Sequence, residues 1–253
     1  MSKFFVEQKQ IENNKIVIID EDVNHIRNVL RYKIGDNIQV CDSESIDYLC
    51  QITEFGKENI VLEILEKCDS KAEPQIEVTL FQCLPKSDKF DLIIQKCTEL
   101  GVRKFVPVLG KRVIVKMEGK DELKKIQRWQ KIALEAAKQC GRGKVPDVGN
   151  VVEMKKLVEK IEKYDIVLVA YEDSRDVSLK KIINRVSDMF LSKSRFLSIG
   201  IVIGPEGGLE KEEVDVLKEA GAHIVGLGPR ILRTETAGIV LTSIIMYELG
   251  DIG

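Results

Sequence analysis

The segment Gly204–Leu209 reads Gly-Pro-Glu-Gly-Gly-Leu and follows an apolar run that ends at Ile203. Glycines let a backbone approach a ligand closely, and Pro205 fixes one φ angle and removes one N–H. The spacing is neither the G-x-G-x-x-G dinucleotide fingerprint nor the G-K-[ST] ending of a P-loop. We interpret the segment as a rigid loop with exposed backbone for a ligand; an ordinary strand-to-helix turn is the alternative.

A second glycine-proline segment, Gly226–Thr236, precedes the uncharged run Ala237–Met246. A helix without charge must be buried, against a sheet or against another subunit. Thr234 or Thr236 is expected to cap the start of this helix with its hydroxyl. The sequence therefore predicts a loop that leads directly into a buried helix.

Two charged residues stand at the start of that helix. Glu235 suits the positive end of the helix dipole, whereas Arg233 does not. A cation placed there indicates an anionic or carbonyl partner from outside the chain. An ion pair between Arg233 and Glu235 is the alternative.

A third candidate lies where the apolar run Ile166–Ala170 ends in Tyr171, Glu172 and Asp173. Ligands of open parallel sheets bind beyond the carboxyl ends of the strands. Carboxylates at such an end can bind ribose hydroxyls, although a solvated loop is the commoner outcome.

Basic residues cluster in connecting segments, and together they are typical of a track for an RNA backbone. Each one taken singly is also compatible with an ordinary surface charge. Arg27 and Arg31 share a helical face by their spacing, although like charges at that spacing repel. The cluster comprises His25, Arg27, Arg31, Lys86, Lys89, Lys111, Arg112, Arg142 and Lys144.

The elements that must position these residues fall into two parts. The first seventy residues read as short strands with one helix, Glu21–Leu30, capped by Asp20, and we expect a small barrel-like β domain. The polar stretch Asp69–Pro74 looks like a linker. The expected strands are Lys3–Glu7, Ile16–Asp20, Asn37–Cys41, Tyr48–Glu54 and Asn59–Leu65.

From Ile76 onward, apolar runs alternate with helical patterns, which predicts a parallel sheet covered on both faces by helices. Gly141 is expected to end the long helix Asp121–Gln139. The expected strands are Ile76–Leu84, Lys104–Leu109, Ile166–Ala170, Phe196–Ile203 and Ala222–Leu227. The other expected helices are Asp88–Leu100, Met154–Lys163, Leu179–Val186, Glu210–Ala220 and Glu235–Tyr247.

Composition excludes several classes of protein. The chain has 253 residues, a net charge of −2 and 44% hydrophobic residues, which is typical of a globular protein. No apolar run reaches the roughly 18 residues of a membrane span, and no export signal is visible, so we expect a cytoplasmic protein. The six cysteines and two histidines lack metal-ligand spacing, so we expect reduced thiols and no metal.

These motifs together resemble the RsmE family of 16S rRNA (uracil-N3)-methyltransferases, within the SPOUT superfamily. The resemblance covers essentially the whole chain, and the last two motifs are the most specific. The motifs are His25–Arg31 with Gly35 and Asp36, Pro85–Lys96 with Glu99–Gly101, Ala136–Arg142 with Val145 and Pro146, Gly204–Gly208, and Leu227–Ala237.

The resemblance implies a PUA-like RNA-binding barrel over residues 1–72. It also implies an α/β SPOUT domain with a C-terminal trefoil knot over residues 73–253. By the same analogy the protein is a homodimer, with the uncharged last helix at or near the subunit interface. Its partner would be 16S rRNA, in the assembled small ribosomal subunit.

The resemblance also implies that S-adenosylmethionine binds in the knot, cradled by backbone. Arg233 is expected to stabilise charge on the uracil oxygens or to bind its phosphate. Glu206 and Glu235 are candidate proton acceptors, although we favour a structural role for both. The expected cofactor residues are Ala170, Tyr171, Glu172, Ile203, Gly204, Pro205, Glu206, Gly207, Gly208, Leu227, Gly228, Leu232, Thr234 and Thr236. The expected RNA contacts are His25, Arg27, Arg31, Lys86, Lys89, Arg112 and Arg142.

Three questions stay open at this stage. Many members of the family carry an arginine near the start, so its RNA contact must fall to Lys3 or be absent here. An RNA-binding or ribosome-assembly protein without catalysis is the main alternative, against which the two intact loops argue. A nicotinamide-dependent or Rossmann-type enzyme would need a glycine fingerprint where Leu84–Ser87 stands.

Overall fold

The computed structural model describes residues 3–115, 117, 119–174, 179–192, 197–249 and 252, and the side chains of 189–192 are not described. The chain forms two compact units. One comprises Met1–Glu73 together with Ala137–Val145, and the other comprises Pro74–Ala136 together with Pro146–Gly253. The boundary near Pro74 lies in the expected linker. The inclusion of residues 137–145 in the N-terminal unit was not predicted from the sequence.

The N-terminal unit contains one six-stranded sheet in the order β1-β4-β5-β6-β3-β2. Strands β1 and β4 are parallel, and the other neighbours are antiparallel. Alternate residues such as Ile16, Ile18, Ile60 and Leu62 are buried, which builds the core of this unit on one face of the sheet. The strands are β1 Lys3–Phe5, β2 Ile11–Glu12, β3 Lys15–Ile19, β4 Asn37–Cys41, β5 Ile46–Phe55 and β6 Asn59–Asp69.

The helix of this unit differs from the expectation. It runs as α1 over Glu21–Asn24 and continues as a π-helix over His25–Val29. Asp20 stands at the predicted N-cap position, but it has φ 62° and its side chain makes no capping hydrogen bond. Arg31 lies beyond the helix with φ 57°, and Arg27 and Arg31 therefore do not share a helical face.

Residues 137–145 are bound to the N-terminal unit by charged side chains. Lys138 Nζ lies 2.7 Å from an oxygen of Asp22. Lys3 Nζ lies 2.8 Å from Asp47 and donates to the Gly141 carbonyl at 2.7 Å. These partners are 116 and 138 residues apart in sequence, so local patterns could not reveal them.

The C-terminal unit contains a parallel sheet in the order β10-β8-β7-β12-β11-β13, with β9 paired to β8. This confirms the predicted buried parallel sheet. Its strands are β7 Ile76–Cys83, β8 Lys104–Leu109, β9 Asp147–Val148, β10 Val152–Glu153, β11 Ile166–Ala170, β12 Leu197–Ile203 and β13 His223–Val225. Its helices are α2 Lys89–Glu99, α3 Lys120–Cys140 (whose last turn belongs to the N-terminal unit), α4 Met154–Ile161, α5 Leu179–Ser192, α6 Lys211–Glu219 and α7 Thr234–Glu248.

Both faces of this sheet are covered. In β12, Ile199 and Ile201 belong to one apolar cluster, and Val202 belongs to the other. Side chains alternate across a strand, so each strand contributes to two cores. This is why the strands read as continuous apolar runs in the sequence. Across the described ranges, no helix combines the length and apolarity needed to span a bilayer.

Helix α7 begins beside the carboxyl ends of β7 and β12. A Cβ at Gly238 would lie 3.4 Å from Gln82 and 3.8 Å from Ile203 and Leu80, so the glycine lets the helix lie close to the sheet. The N-cap position is Arg233, and neither of the expected threonines caps the helix with its hydroxyl. Thr234 is buried, and its hydroxyl bonds to Gln82 and Gly204 instead.

Candidate functional site

A cavity of about 400 Å³ opens at the carboxyl ends of β11 and β12. Cavities of this size are typical of small-molecule and cofactor sites. Three segments line it: the end of β11, the segment Gly204–Leu209 (the glycine loop) and the segment Gly228–Arg233 (the arginine loop). Its lining comprises Ala170, Tyr171, Glu172, Ile203, Gly204, Pro205, Glu206, Gly208, Leu209, Leu227, Gly228, Pro229, Arg230, Ile231, Leu232, Arg233, Thr234 and Ala237.

The cavity gathers the predicted cofactor residues except Gly207 and Thr236. It also contains Arg233, to which the sequence assigned the catalytic role. Leu209 and Ala237 line the same cavity and were missed. Leu209 directly follows Gly208 and Ala237 directly follows Thr236, and this adjacency to the two glycine-proline motifs was the available signal.

Gly208 requires its glycine for two reasons. Its φ is 72°, in the left-handed region that side chains rarely adopt, and a Cβ there would lie 2.4 Å from Glu172 Oε1. The glycine loop thus packs directly against the carboxylate that follows β11. Glu172 is exposed and lines the cavity, where it offers acceptor oxygens to hydroxyl or amino groups.

Thr234 joins the glycine loop to the start of α7. Its hydroxyl donates to the Gly204 carbonyl at 2.6 Å and accepts from Gln82 Nε2 at 2.8 Å. All three residues are buried. The Thr234 side chain therefore holds the cavity wall, and its hydroxyl is engaged within the protein.

Arg112 holds the glycine loop from the other side. Its Nε lies 2.8 Å from Glu210 Oε1, and its Nη1 donates to the Gly207 carbonyl at 2.5 Å. Hydrogen bonding to Glu210 raises the pKa of Arg112, chiefly by stabilising its charged form. We predicted Arg112 as an RNA contact, but the structure shows its guanidinium engaged with the loop that lines the cavity.

Glu206 is bound by a second cation. Its Oε1 accepts from Lys89 Nζ at 2.9 Å and from the Lys86 amide at 3.0 Å. Lys89 Nζ also lies 3.5 Å from Glu235. Lys89 is thus neutralised between two carboxylates, which supports the structural role favoured for Glu206 and Glu235 and leaves Lys89 a poor RNA contact.

The charges of this pair stabilise each other. Burial raises the pKa of Glu206, but the hydrogen bonds from Lys89 and from backbone amides outweigh it and lower the pKa below its ordinary value. The hydrogen bond to Glu206 raises the pKa of Lys89. Glu206 is therefore ionised at neutral pH and holds its proton less readily than an ordinary carboxyl.

The arginine loop is much less constrained. Ile231 is 86% exposed, and Arg230 and Arg233 are both exposed. Among the contacts of the described residues, neither guanidinium has an acidic partner, and the alternative ion pair between Arg233 and Glu235 does not form. These two cations line the cavity with their charge available.

The other predicted RNA contacts have different environments. His25, Arg31 and Lys86 are exposed, whereas Arg27 donates to the Gly56 carbonyl and lies 5.5 Å from the centre of the Phe55 ring. Of these four residues only Lys86 belongs to the C-terminal unit, and it does not line the 400 Å³ cavity.

Two of the cations are buried, and their charged groups do not reach the surface. Arg142 is 2% exposed and its Nη2 lies 2.8 Å from Glu73, and Lys3 is 5% exposed beside Asp47. The expectation for Arg142 was therefore wrong. Lys3 likewise does not supply the contact of an N-terminal arginine.

A family model for the RNA methyltransferase domain matches residues 71–246, and a model for the RNA methyltransferase PUA domain matches residues 18–65. The chain belongs to the RNA methyltransferase family. The first match spans the parallel sheet and the whole cavity, and the second runs from β3 to β6 of the N-terminal unit and includes its helix. The N-terminal unit is accordingly PUA-like.

Individual members of this family are similar over their full length. The chain is 39% identical to Ribosomal RNA small subunit methyltransferase E of Bacillus subtilis, over 98% of this chain and 97% of that one. It is 32% identical to the protein of the same name from Aquifex aeolicus, over 97% of this chain and 99% of that one.

Solved structures of the family share the fold. A crystal structure of Ribosomal RNA small subunit methyltransferase E from Neisseria gonorrhoeae, bound to S-adenosyl methionine, matches with a TM-score of 0.86. It is 29% identical and covers 100% of both chains. The membership thus extends to both units.

Proposed function

We propose that this RNA methyltransferase transfers a methyl group from S-adenosylmethionine to N3 of a uridine in 16S rRNA of the small ribosomal subunit, in the cytoplasm. One observation carries the proposal. The cavity combines a tightly held glycine loop with an exposed loop whose two arginines have no acidic partner among the described residues. The similarity to methyltransferases named for the small-subunit RNA supports the same substrate.

The residues of the cavity fit S-adenosylmethionine. A Cβ at Gly204 would lie 3.1 Å from Leu209 and one at Gly208 would meet Glu172, so both positions present bare backbone. Pro205, Leu227 and the adjacent backbone would hold an apolar and hydrogen-bonding nucleoside. Glu172 would accept hydrogen bonds from hydroxyl or amino groups. Bound there, the cofactor supplies an electrophilic methyl group.

Arg233 has the charge that the reaction requires. Loss of the imide proton from uracil N3 to solvent water leaves negative charge on the flanking carbonyl oxygens, and fixed donors at developing charge are usually the largest catalytic contribution. Arg233 lines the cavity, is exposed and has no acidic partner among its described contacts. We assign it to the uracil oxygens or the adjacent phosphate, and Glu206 and Glu235 to holding the loops.

The remaining RNA contacts are proposed from exposure and charge. His25 and Arg31 of the PUA-like unit, and Lys86 and Arg230 of the methyltransferase unit, are exposed. Phosphate contacts from such residues contribute affinity that depends on salt.

We also propose that the methyltransferase unit contains a trefoil knot and forms a homodimer through α7. One side of α7 is buried within its own unit, whereas Ile239, Val240 and Ile244 are only partly buried and Tyr247 is 66% exposed. An uncharged stripe of this kind suits a second copy of the chain. Light scattering on the purified protein measures the mass: a dimer is expected, and a monomer at micromolar concentration would contradict this part.

The function is tested by transfer of labelled methyl from S-adenosylmethionine to small ribosomal subunits from a strain that lacks the modification. Labelled rRNA is expected with the unaltered protein and greatly reduced label with Arg233→Ala. Cofactor binding without transfer to this rRNA would contradict the proposed substrate, and absence of both cofactor binding and transfer would favour a non-catalytic RNA-binding protein.

A further inference from the structure

Gln82, the last residue but one of β7, is fully buried and forms a short chain of hydrogen bonds. Its Nε2 donates to Thr234 Oγ1 at 2.8 Å and to the Cys83 carbonyl at 2.9 Å. Thr234 in turn donates to the Gly204 carbonyl at 2.6 Å. The chain connects the centre of the sheet, the start of α7 and the glycine loop.

The direction of these bonds is determined by the groups present. The Cys83 carbonyl can only accept, so the nitrogen of Gln82 must face it, and the second amide hydrogen goes to Thr234. The Thr234 hydroxyl has one hydrogen, which remains for the Gly204 carbonyl. Gln82 thus fixes the orientation of the hydroxyl that holds the first residue of the glycine loop.

The arrangement has an energetic cost that a purely structural core would avoid. Gln82 Oε1 is buried and has no hydrogen-bond partner among the described residues. An apolar side chain at this central strand position would leave no such atom unpaired. Departures from the rule that buried polar atoms are hydrogen-bonded concentrate at functional sites.

We infer that Gln82 is a positioning residue for the cofactor cavity: through Thr234 it sets the position of Gly204 and hence of the glycine loop. The inference rests on the proposed function, because the cavity is taken to bind S-adenosylmethionine. Gln82 itself does not line the cavity. Its effect on the cofactor must therefore pass through Thr234.

The test is calorimetric binding of S-adenosylmethionine to the full chain and to three variants. Thr234→Val removes the hydroxyl with little change of shape and is expected to weaken binding about tenfold or more. Thr234→Ser retains the hydroxyl and is expected to stay within about threefold of the unaltered protein. Thr242→Val is the matched control, because Thr242 is also buried in α7 but does not line the cavity.

A second readout separates positioning from general destabilisation. Affinity for a 16S rRNA transcript is expected to stay unchanged in Thr234→Val, since the hydroxyl faces Gly204 and Gln82. Cofactor binding by Thr234→Val equal to that of the unaltered protein would overturn the inference. Equal losses of cofactor and RNA affinity, or equal losses in Thr242→Val, would also overturn it. An unaltered protein that does not bind the cofactor would instead contradict the proposed function.

The link to Gln82 is tested by a double-mutant cycle. Gln82→Leu and Thr234→Val remove two ends of one bond, so their combination is expected to weaken binding little more than either change alone. Additive losses would show that Gln82 acts independently of Thr234 and would overturn its positioning role.

Discussion

The glycine loop is bound from both sides, by Arg112 at Gly207 and by Thr234 at Gly204, whereas the arginine loop leaves Ile231 86% exposed. A binding site for a cofactor benefits from a preformed wall, because less ordering remains to be done on binding. An RNA substrate needs accessible charge. Cations that look alike in the sequence therefore have opposite roles, and the presence or absence of an acidic partner determines which role each one has.

The largest expected effect comes from the arginine loop. Arg233→Ala is expected to lower turnover about a hundredfold, the usual cost of removing one donor at developing charge. Affinity for S-adenosylmethionine is expected to change less than about threefold, which would assign the loss to chemistry. Steady-state kinetics and calorimetry measure the two quantities. Unchanged turnover would show that Arg233 has no role in the reaction.

A substitution at the glycine loop is expected to give the opposite pattern. Arg112→Ala removes the bonds to Gly207 and Glu210, so cofactor affinity is expected to fall about tenfold while RNA affinity is retained. Lys111→Ala is the matched control, because its side chain contacts only exposed Glu212 in the described structure. Loss of RNA affinity in Arg112→Ala, with cofactor binding intact, would show that Arg112 contacts RNA and does not act by holding the glycine loop.

The contribution of Arg230 to RNA affinity should depend on the salt concentration. Arg230→Ala is expected to weaken RNA binding about threefold to tenfold at low ionic strength. The slope of log affinity against log salt is expected to become shallower by about one, as for loss of one phosphate contact. Filter binding over a salt series measures both. A slope identical to that of the unaltered protein would contradict a phosphate contact.

The smallest effect concerns the Lys89–Glu206 pair. The pKa of Glu206 is lowered, so its contribution to stability is present above the unfolded pKa and is lost as pH falls through the lower folded pKa. Glu206→Gln is expected to melt about 2 °C lower than the unaltered protein at pH 7, the size of an exposed pair. The difference should begin to shrink as pH falls below about 4.3, the ordinary value for a glutamate, and should vanish once pH is below the lowered folded pKa.

Glu219→Gln in α6 is the control for this measurement, because Glu219 is also exposed. A melting difference for Glu206→Gln that persists unchanged through acid pH would show that the charge of Glu206 is not its cause.

The parallel sheet and the cavity could be predicted because their signals are local. Continuous apolar strands, the two glycine-proline segments and the carboxylate after Ala170 all lie within short stretches of sequence. The roles of Arg142, Arg112 and Lys89 could not be predicted, because their acidic partners lie 69, 98 and 117 residues away in the sequence. A cation on a loop looks the same in sequence whether it faces solvent or a distant carboxylate.

Thr234 shows that the partner of a hydroxyl, like that of a cation, cannot be predicted from the local sequence. A threonine before a helix favours capping, yet Gln82, 152 residues away, determines what its hydroxyl binds. The break of the first helix into a π-helix and the transfer of residues 137–145 to the N-terminal unit also depend on packing. Periodicity along one segment contains no information about such contacts.

The proposed function is tested most directly by nucleoside mass spectrometry of 16S rRNA, after small subunits that lack the modification are incubated with the protein and S-adenosylmethionine. N3-methyluridine is expected to appear at one position, and Arg233→Ala is expected to abolish most of it. A different methylated nucleoside, or none while the cofactor binds normally, would contradict the proposed function.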